Sequence, residues 1–331
     1  MLRATVSALV GSVALHLLAA CGRSDAQEIE VRPPAALQPS KPLPVALSPR
    51  LTRAPPERLV AIGDLHGDLD HARRALRLAG AIDDRDRWVG GRMMVVQTGD
   101  AIDRGDDDRA ILDLIEALSR QAAAAGGEII ALLGNHEIMN AALDFRYVTA
   151  AGFASFSLFE ATDASRSLAE LAAPSRGRAA AFAPGGSYAI LESGRPFVVK
   201  IGDTVFVHGG VLPKHVSYGL DRMNDELDGW LAGKRRDAPA ILVAEDGPVW
   251  TRAYSSEDAP PDCADLGTAL AELGAKRMVV GHTVQHRGVN SACDGKVWRI
   301  DVGLSRYFGG PIQALEIRGD DVTPLRETAP K

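Results

Sequence analysis

The chain has 331 residues, 46% hydrophobic and 24% charged, a length and balance that suit one large domain or two small ones and exclude a fibrous or low-complexity protein. Its 43 acidic residues outnumber 37 basic ones, giving a formal charge of -6. Bulk charge of that sign offers no nucleic-acid-binding surface, so any phosphate recognition must rest on locally placed cations.

Residues 1–21 read as a secretory signal. Arg3 supplies a minimal charged region, and the apolar stretch from Ala4 to Leu18 is too short and too broken by Gly11, Ser12 and His16 for a transmembrane helix. Leu18-Ala19-Ala20-Cys21 resembles a bacterial lipobox, which would leave Cys21 lipidated and the protein exported to the periplasm; Gly22 leans towards the outer membrane. Residues 22–57 recur in proline without a sustained apolar period, as an extended tether does. The folded domain is expected over 58–318.

That domain starts with an apolar run, Leu59-Val60-Ala61-Ile62, which ends in Gly63-Asp64-Leu65-His66-Gly67-Asp68. Helical spacing follows, with Ala72, Ala75, Leu76 and Ala79 on one side and His71 at the surface. A second run, Met93 to Val96, ends in Gly99-Asp100-Ala101-Ile102-Asp103-Arg104-Gly105. Residues 110–125 then predict a helix stopped by Gly126-Gly127, and Ile129 to Leu133 a third strand ending in Gly134-Asn135-His136-Glu137. Strand, helix, strand, helix, strand predicts parallel pairing with right-handed crossovers. Residues 140–195 are Ala-rich and helical in character, with Phe145, Tyr147, Phe153, Phe156 and Phe159, and are expected to form a cap over the strand ends. Two later strands end in His208-Gly209-Gly210 and Gly281-His282-Thr283. Between them, 221–237 reads as a charged surface helix, and 319–331 as a C-terminal tail.

Five strand ends thus carry Asp, His or Asn beside Gly, which by residue type is a metal site. The set also resembles the calcineurin-like metallophosphoesterases, within them the phosphoprotein phosphatase family. With Gly247-Pro248-Val249-Trp250-Thr251-Arg252-Ala253-Tyr254 it is most similar to the bacterial-type Shewanella-like protein phosphatases. The resemblance spans Arg58 to Ile317. It implies an α/β sandwich of two mixed β-sheets flanked by helices. It also implies two transition-metal ions (Mn, Fe or Zn): the first on Asp64, His66 and Asp100, the second on Asp100, Asn135, His208 and His282, with Asp100 bridging. A hydroxide bridging the ions would attack phosphorus, with the ions stabilising the phosphoryl oxygens. His136 would donate the leaving-group proton, steadied by Asp103, and Arg104 and Arg252 would grip the phosphate. Arg222 and Arg299 remain alternatives to Arg252. Asp68 and Glu137 would support the site, and Tyr307 is a further candidate in a segment that departs from the eukaryotic pattern. His286 would be a ligand in some phosphoesterases, but its four-residue offset from His282 argues for a surface role.

The implied activity is phosphomonoester hydrolysis on a phosphorylated protein, with phosphotyrosine favoured. A dinucleoside-polyphosphate hydrolase or a non-specific periplasmic phosphatase uses the same chemistry. If Cys21 is lipidated, Cys263 and Cys293 are the remaining thiols, and a pair in an oxidising compartment predicts a disulfide; two separate buried thiols are the alternative.

Overall fold

A computed structural model describes residues 44–159, 168 and 171–327. The lipobox and most of the tether therefore lie outside the described residues. Strand β1 (Thr52–Arg53) precedes β2 (Leu59–Ile62), α1 (Leu69–Leu78), β3 (Met94–Gln97), α2 (Asp108–Ala124) and β4 (Glu128–Ala131). Helix α3 (Asn135–Ala141) leads from β4 into the insertion, which carries α4 (Ala150–Ala154), α5 (Ala173–Phe182) and α6 (Ser187–Glu192). Then come β5 (Val198–Ile201), β6 (Thr204–Val207), α7 (Pro213–Tyr218), α8 (Leu220–Leu231), α9 (Ala240–Val243) and α10 (Cys263–Glu272). The last strands are β7 (Arg277–Val280), β8 (Asn290–Ala292), β9 (Val297–Arg299), β10 (Gln313–Arg318) and β11 (Asp321–Arg326).

These strands form two mixed sheets, in the orders β11-β10-β2-β3-β4 and β1-β5-β6-β7-β9-β8. The unit β2-α1-β3-α2-β4 is parallel throughout, with Ile62 opposite Gln97 and Gln97 opposite Ala131. The register therefore ends β2, β3 and β4 side by side. In the second sheet β6 and β7 are likewise parallel, with Val207 opposite Val280. Both are buried on two faces, which is why they read as unbroken apolar runs. Phe206 and Val279 join Val60 and Val95 in a core shared by the two sheets, into which α1 and α2 also pack. Val205, Val207, Met278 and Val280 face the other way, against Met223 and Leu227 of α8 and Leu266 and Leu270 of α10. The result is the helix-flanked sandwich.

Two boundaries differ from expectation. Residues 44–57 are not all tether: Leu51 is fully buried, β1 pairs with β5, and the Val45 N–H donates to the Glu272 carbonyl at 2.7 Å. Single leucines among prolines left no period to read. Nor is 319–331 a free tail, because β11 pairs with β10 along six residues. Its Pro324 fits an edge strand, and only Val322 and Leu325 pack against the core.

Cys263 and Cys293 are bonded, with Cα atoms 5.4 Å apart. The bridge joins the first residue of α10 to the turn between β8 and β9.

Candidate active site

Beyond β2 and β3 the chain turns back sharply. His66, Asp100, Asp103 and Arg104 have φ of 47°, 55°, 71° and 70°, a region disfavoured for L-residues and tolerated where surroundings enforce it. At Asp100 the enforcement comes from Glu137, whose buried carboxylate accepts backbone N–H bonds from Asp100 (2.9 Å), Ala101 (2.8 Å) and Gly134 (2.8 Å). Gly134 is obligatory, since a Cβ there would lie 2.2 Å from Asp100 Oδ1. The supporting role read for Glu137 thus has a geometric basis. Asp68 caps α1 through the His71 N–H and pairs with Arg306, at the edge of the site.

The expected ligands converge. One ligand atom from each of His66, Asp100 and His136, and separately from Asp100, His208 and His282, lie within 4.8 Å of one another. Asp100 belongs to both groups. His66 Nε2 is 3.9 Å from both Asp64 Oδ2 and Asp100 Oδ2. His208 Nε2 stands 2.9 Å from Asn135 Oδ1 and 3.2 Å from Asp100 Oδ2, while its Nδ1 donates to the Thr98 carbonyl at 2.9 Å. That donation leaves the Nε2 lone pair facing two oxygens, an arrangement that needs a cation or a proton between them. His66 Nδ1 and His282 Nε2 are buried without a hydrogen-bond partner among the described residues.

The electrostatics agree. Burial, then Asp301 and Asp100, raises the Asp64 carboxyl well above its ordinary range, and burial pushes Asp301 up to about 6. Burial would raise Asp100 too, but His208, His136 and His66 outweigh it and hold it well below the usual carboxylate range. Burial drives His66 down to about 4; His282 is driven well below its ordinary value by burial and then by His208 and Arg252. Carboxylates crowded together beside the lowered His66 and His282 imidazoles suit cation binding, while Asp100 raises His208 against its burial.

His136 Nδ1 is 2.7 Å from Asp103 Oδ2, and its Nε2 points back to the cluster, 3.8 Å from Asp100 Oδ2. Burial opposes a charged ring, yet Asp100 and Asp103 together raise the His136 pKa above its ordinary value. The His136 ring thus faces the candidate ligand cluster through Nε2, with Asp103 held at Nδ1.

A family model for calcineurin-like phosphoesterases matches residues 57–286. The chain belongs to that family. It is 44% identical over 298 residues to Shewanella-like protein phosphatase 2 of Arabidopsis thaliana, across 80% of this chain and 76% of the relative. An uncharacterized Schizosaccharomyces pombe protein is 30% identical over 279 residues, across 82% and 80%. Among solved structures, a mutant of a cold-active protein tyrosine phosphatase superposes with a TM-score of 0.70 at 26% identity, across 83% of this chain and 79% of that one.

Around this phosphoesterase centre the cationic side chains differ. Arg104 lies over the Tyr147 ring at 3.7 Å and donates to the Tyr307 hydroxyl at 3.1 Å. With His66, Arg306 and Asp106 it lines an open cavity of about 480 Å³. Arg252 is exposed, and its charge reaches His282. Arg222 instead pairs with Glu226, and Arg299 with Asn290. His286 is exposed and belongs to neither ligand group. Sequence reasoning missed Arg178, Asn140 and Asp108, a buried set behind His136. The one signal was a lone arginine in the run Arg178-Ala179-Ala180-Ala181-Phe182, which carries no chemistry by itself.

Proposed function

We propose that the chain is a metal-dependent phosphomonoesterase acting on phosphorylated proteins, with phosphotyrosine favoured. The observation that carries it is the His136–Asp103 pair aimed at a cluster with two ligand groups sharing Asp100. The relatives support the substrate class: the Arabidopsis protein is called a protein phosphatase, and the superposed structure is of a tyrosine phosphatase. Two ions, Mn, Fe or Zn, held by Asp64, His66, Asp100, Asn135, His208 and His282, would supply positive charge to the phosphoryl oxygens and an activated water.

The chain's own residues do the rest. Arg104 offers its guanidinium to the phosphate from between Tyr147 and Tyr307, and Arg252 does so from the loop between α9 and α10. His136 delivers the proton from Nε2 to the departing oxygen, while Asp103 at Nδ1 keeps the ring oriented and charged. A phenolate leaves more easily than an alkoxide, because its conjugate acid has a pKa of about 10.

The N-terminal 21 residues and the Cys263–Cys293 bridge support export to an oxidising compartment, with a lipid anchor at Cys21 on the periplasmic side of the outer membrane. Turnover of phosphotyrosine peptide, phosphoserine peptide and diadenosine tetraphosphate tests the substrate reading. The peptides are expected to be the better substrates, phosphotyrosine above phosphoserine; preference for the dinucleotide would overturn it.

A further inference from the structure

Arg178 is fully buried in α5, within the insertion, and no ligand assignment uses it. Its guanidinium makes four bonds: Nη2 to Asp103 Oδ1 (2.9 Å), Nε to Asn140 Oδ1 (2.7 Å), and Nη1 to Asp108 Oδ2 (2.6 Å) and the Gly152 carbonyl (3.2 Å). Phe156 and Phe182 flank it, with ring centroids 5.2 and 5.1 Å away. Close approach is built in, since a Cβ on the neighbouring Gly177 would lie 2.2 Å from the Phe156 carbonyl oxygen. Burying a guanidinium costs several kcal/mol before pairing, and well-packed apolar residues often serve stability as well. Its placement calls for a reason beyond stability.

The bonds share one target. Asp103 Oδ1 is filled by Arg178 and Asn140, which leaves Oδ2, also touched by Asn140 at 3.1 Å, turned to His136. Asp108, held by Arg178 through Oδ2, accepts the Asp103 backbone N–H through Oδ1 at 2.9 Å. Both the carboxylate and the left-handed backbone of Asp103 are therefore fixed from the insertion side.

We propose that Arg178 is a positioning residue for proton donation: it clamps Asp103 so that the His136 ring stays aimed at the leaving oxygen. The insertion is then part of the reaction machinery as well as a cover. The inference rests on His136 being the proton donor.

The test is steady-state kinetics of the metal-loaded enzyme on nitrophenyl phosphate, phenyl phosphate and phosphoserine peptide, comparing Arg178→Met, Arg178→Lys and His136→Asn. General acids contribute roughly 10²–10⁴-fold, so losing their alignment forfeits part of that on poor leaving groups. Arg178→Met is expected to lose about tenfold or more kcat on phosphoserine than on nitrophenyl phosphate, with KM and metal content little changed. Arg178→Lys, which keeps charge without the fork, falls between. Should Arg178→Met fail to fold, Asn140→Ala removes a donor to Asp103 and a partner of Arg178, and shows the same dependence more weakly. Uniform loss across the three substrates, or none, overturns the proposal. If His136→Asn is itself uniform, the proton-donor reading falls and takes this inference with it. If His136→Asn is leaving-group dependent while the Arg178 and Asn140 variants are not, only the role of Arg178 falls.

Discussion

The two sheets hold their shares of the site by different means. At the ends of β2, β3 and β4, the turns carrying His66 and Asp100 are fixed by atoms within 37 positions, inside the β2-α1-β3-α2-β4 unit and the helix that follows it. Glu137 pins the turns at Asp100 and Gly134, and the Leu65 and His66 N–H groups donate to the Asp100 carbonyl at 3.0 Å. The second sheet's ligands are fixed by the first sheet. His208 is oriented by the Thr98 carbonyl, 110 positions away, and the His282 N–H donates to Asp64 Oδ2 at 3.1 Å, 218 positions away. One half is locally self-organised and the other docks onto it. Closing such long separations costs chain entropy that local crossovers avoid, so the second half gains more from outside braces.

The comparison breaks most visibly at Asp100, the one residue in both ligand groups. Asp100→Asn is expected to reduce activity to background and to weaken both ions, whereas Asp64→Asn weakens mainly one. Neutralising a shared carboxylate is felt by two charges. Metal analysis of the purified variants checks this, and two ions per chain in the Asp100 variant would sink the bridging assignment.

The next brace is covalent. Cys263 heads α10, and its neighbour Asp262 donates its N–H to the Ala253 carbonyl at 3.0 Å, next to Arg252. In the loop-entropy account, a bridge across 30 positions stabilises by about 3–4 kcal/mol. Replacing both cysteines by serine should remove that stability and raise KM more than it lowers kcat, because Arg252 loses restraint while the first-sheet ligands keep theirs. Denaturant melts and thiol titration of the denatured, unreduced domain check it. Two free thiols from these positions in the native protein would mean no bridge.

Legibility follows the same division. The strand-end motifs could be read because apolar runs and glycines announce where a side chain is delivered, and Asp or His at that point has few structural uses. The parallel order of β2, β3 and β4 followed from their alternation with helices. Arg252 was chosen by motif over Arg222 and Arg299; in the fold Arg222 pairs with Glu226 and Arg299 with Asn290, contacts that sequence spacing alone did not single out. What escaped were features set by tertiary contact alone. β1 has two residues and no pattern of its own, and β11 carries a proline and charges that suit its edge position. Arg178 looked like any arginine in an Ala-rich helix, because a buried charge is identified by partners that sequence spacing does not bring together.

The smallest expected effect concerns His215, a brace on the second half that belongs to neither ligand group. Its ring is fully buried: Nδ1 accepts the Leu212 N–H at 3.0 Å, and Nε2 donates to the Asp246 carbonyl at 2.9 Å. That carbonyl opens the stretch in which Pro248 accepts the Gly209 and Gly210 N–H groups beside His208. The ring can serve both bonds only when neutral, since protonated Nδ1 cannot accept. Burial accordingly lowers its pKa to about 4, from an ordinary 6.5, with Lys214 adding to the effect against the Asp246 carbonyl. The unfolded chain takes up the proton first as pH falls, so the neutral ring's contribution is full above about 6.5 and is lost as pH falls towards 4. Between pH 7 and pH 5 it amounts to about 2 kcal/mol. Ligand carboxylates and histidines titrate nearby in pH, so a single melting curve does not isolate it. The difference between wild type and His215→Asn, at the same saturating metal, cancels those shared groups. Wild type should lose about 2 kcal/mol more than the variant over that interval. An NMR titration of the His215 ring gives an independent reading, with little change expected above pH 5. A midpoint near 6.5, or parallel stability curves for the two proteins, would remove His215 as a brace and leave the disulfide as the second half's restraint from outside.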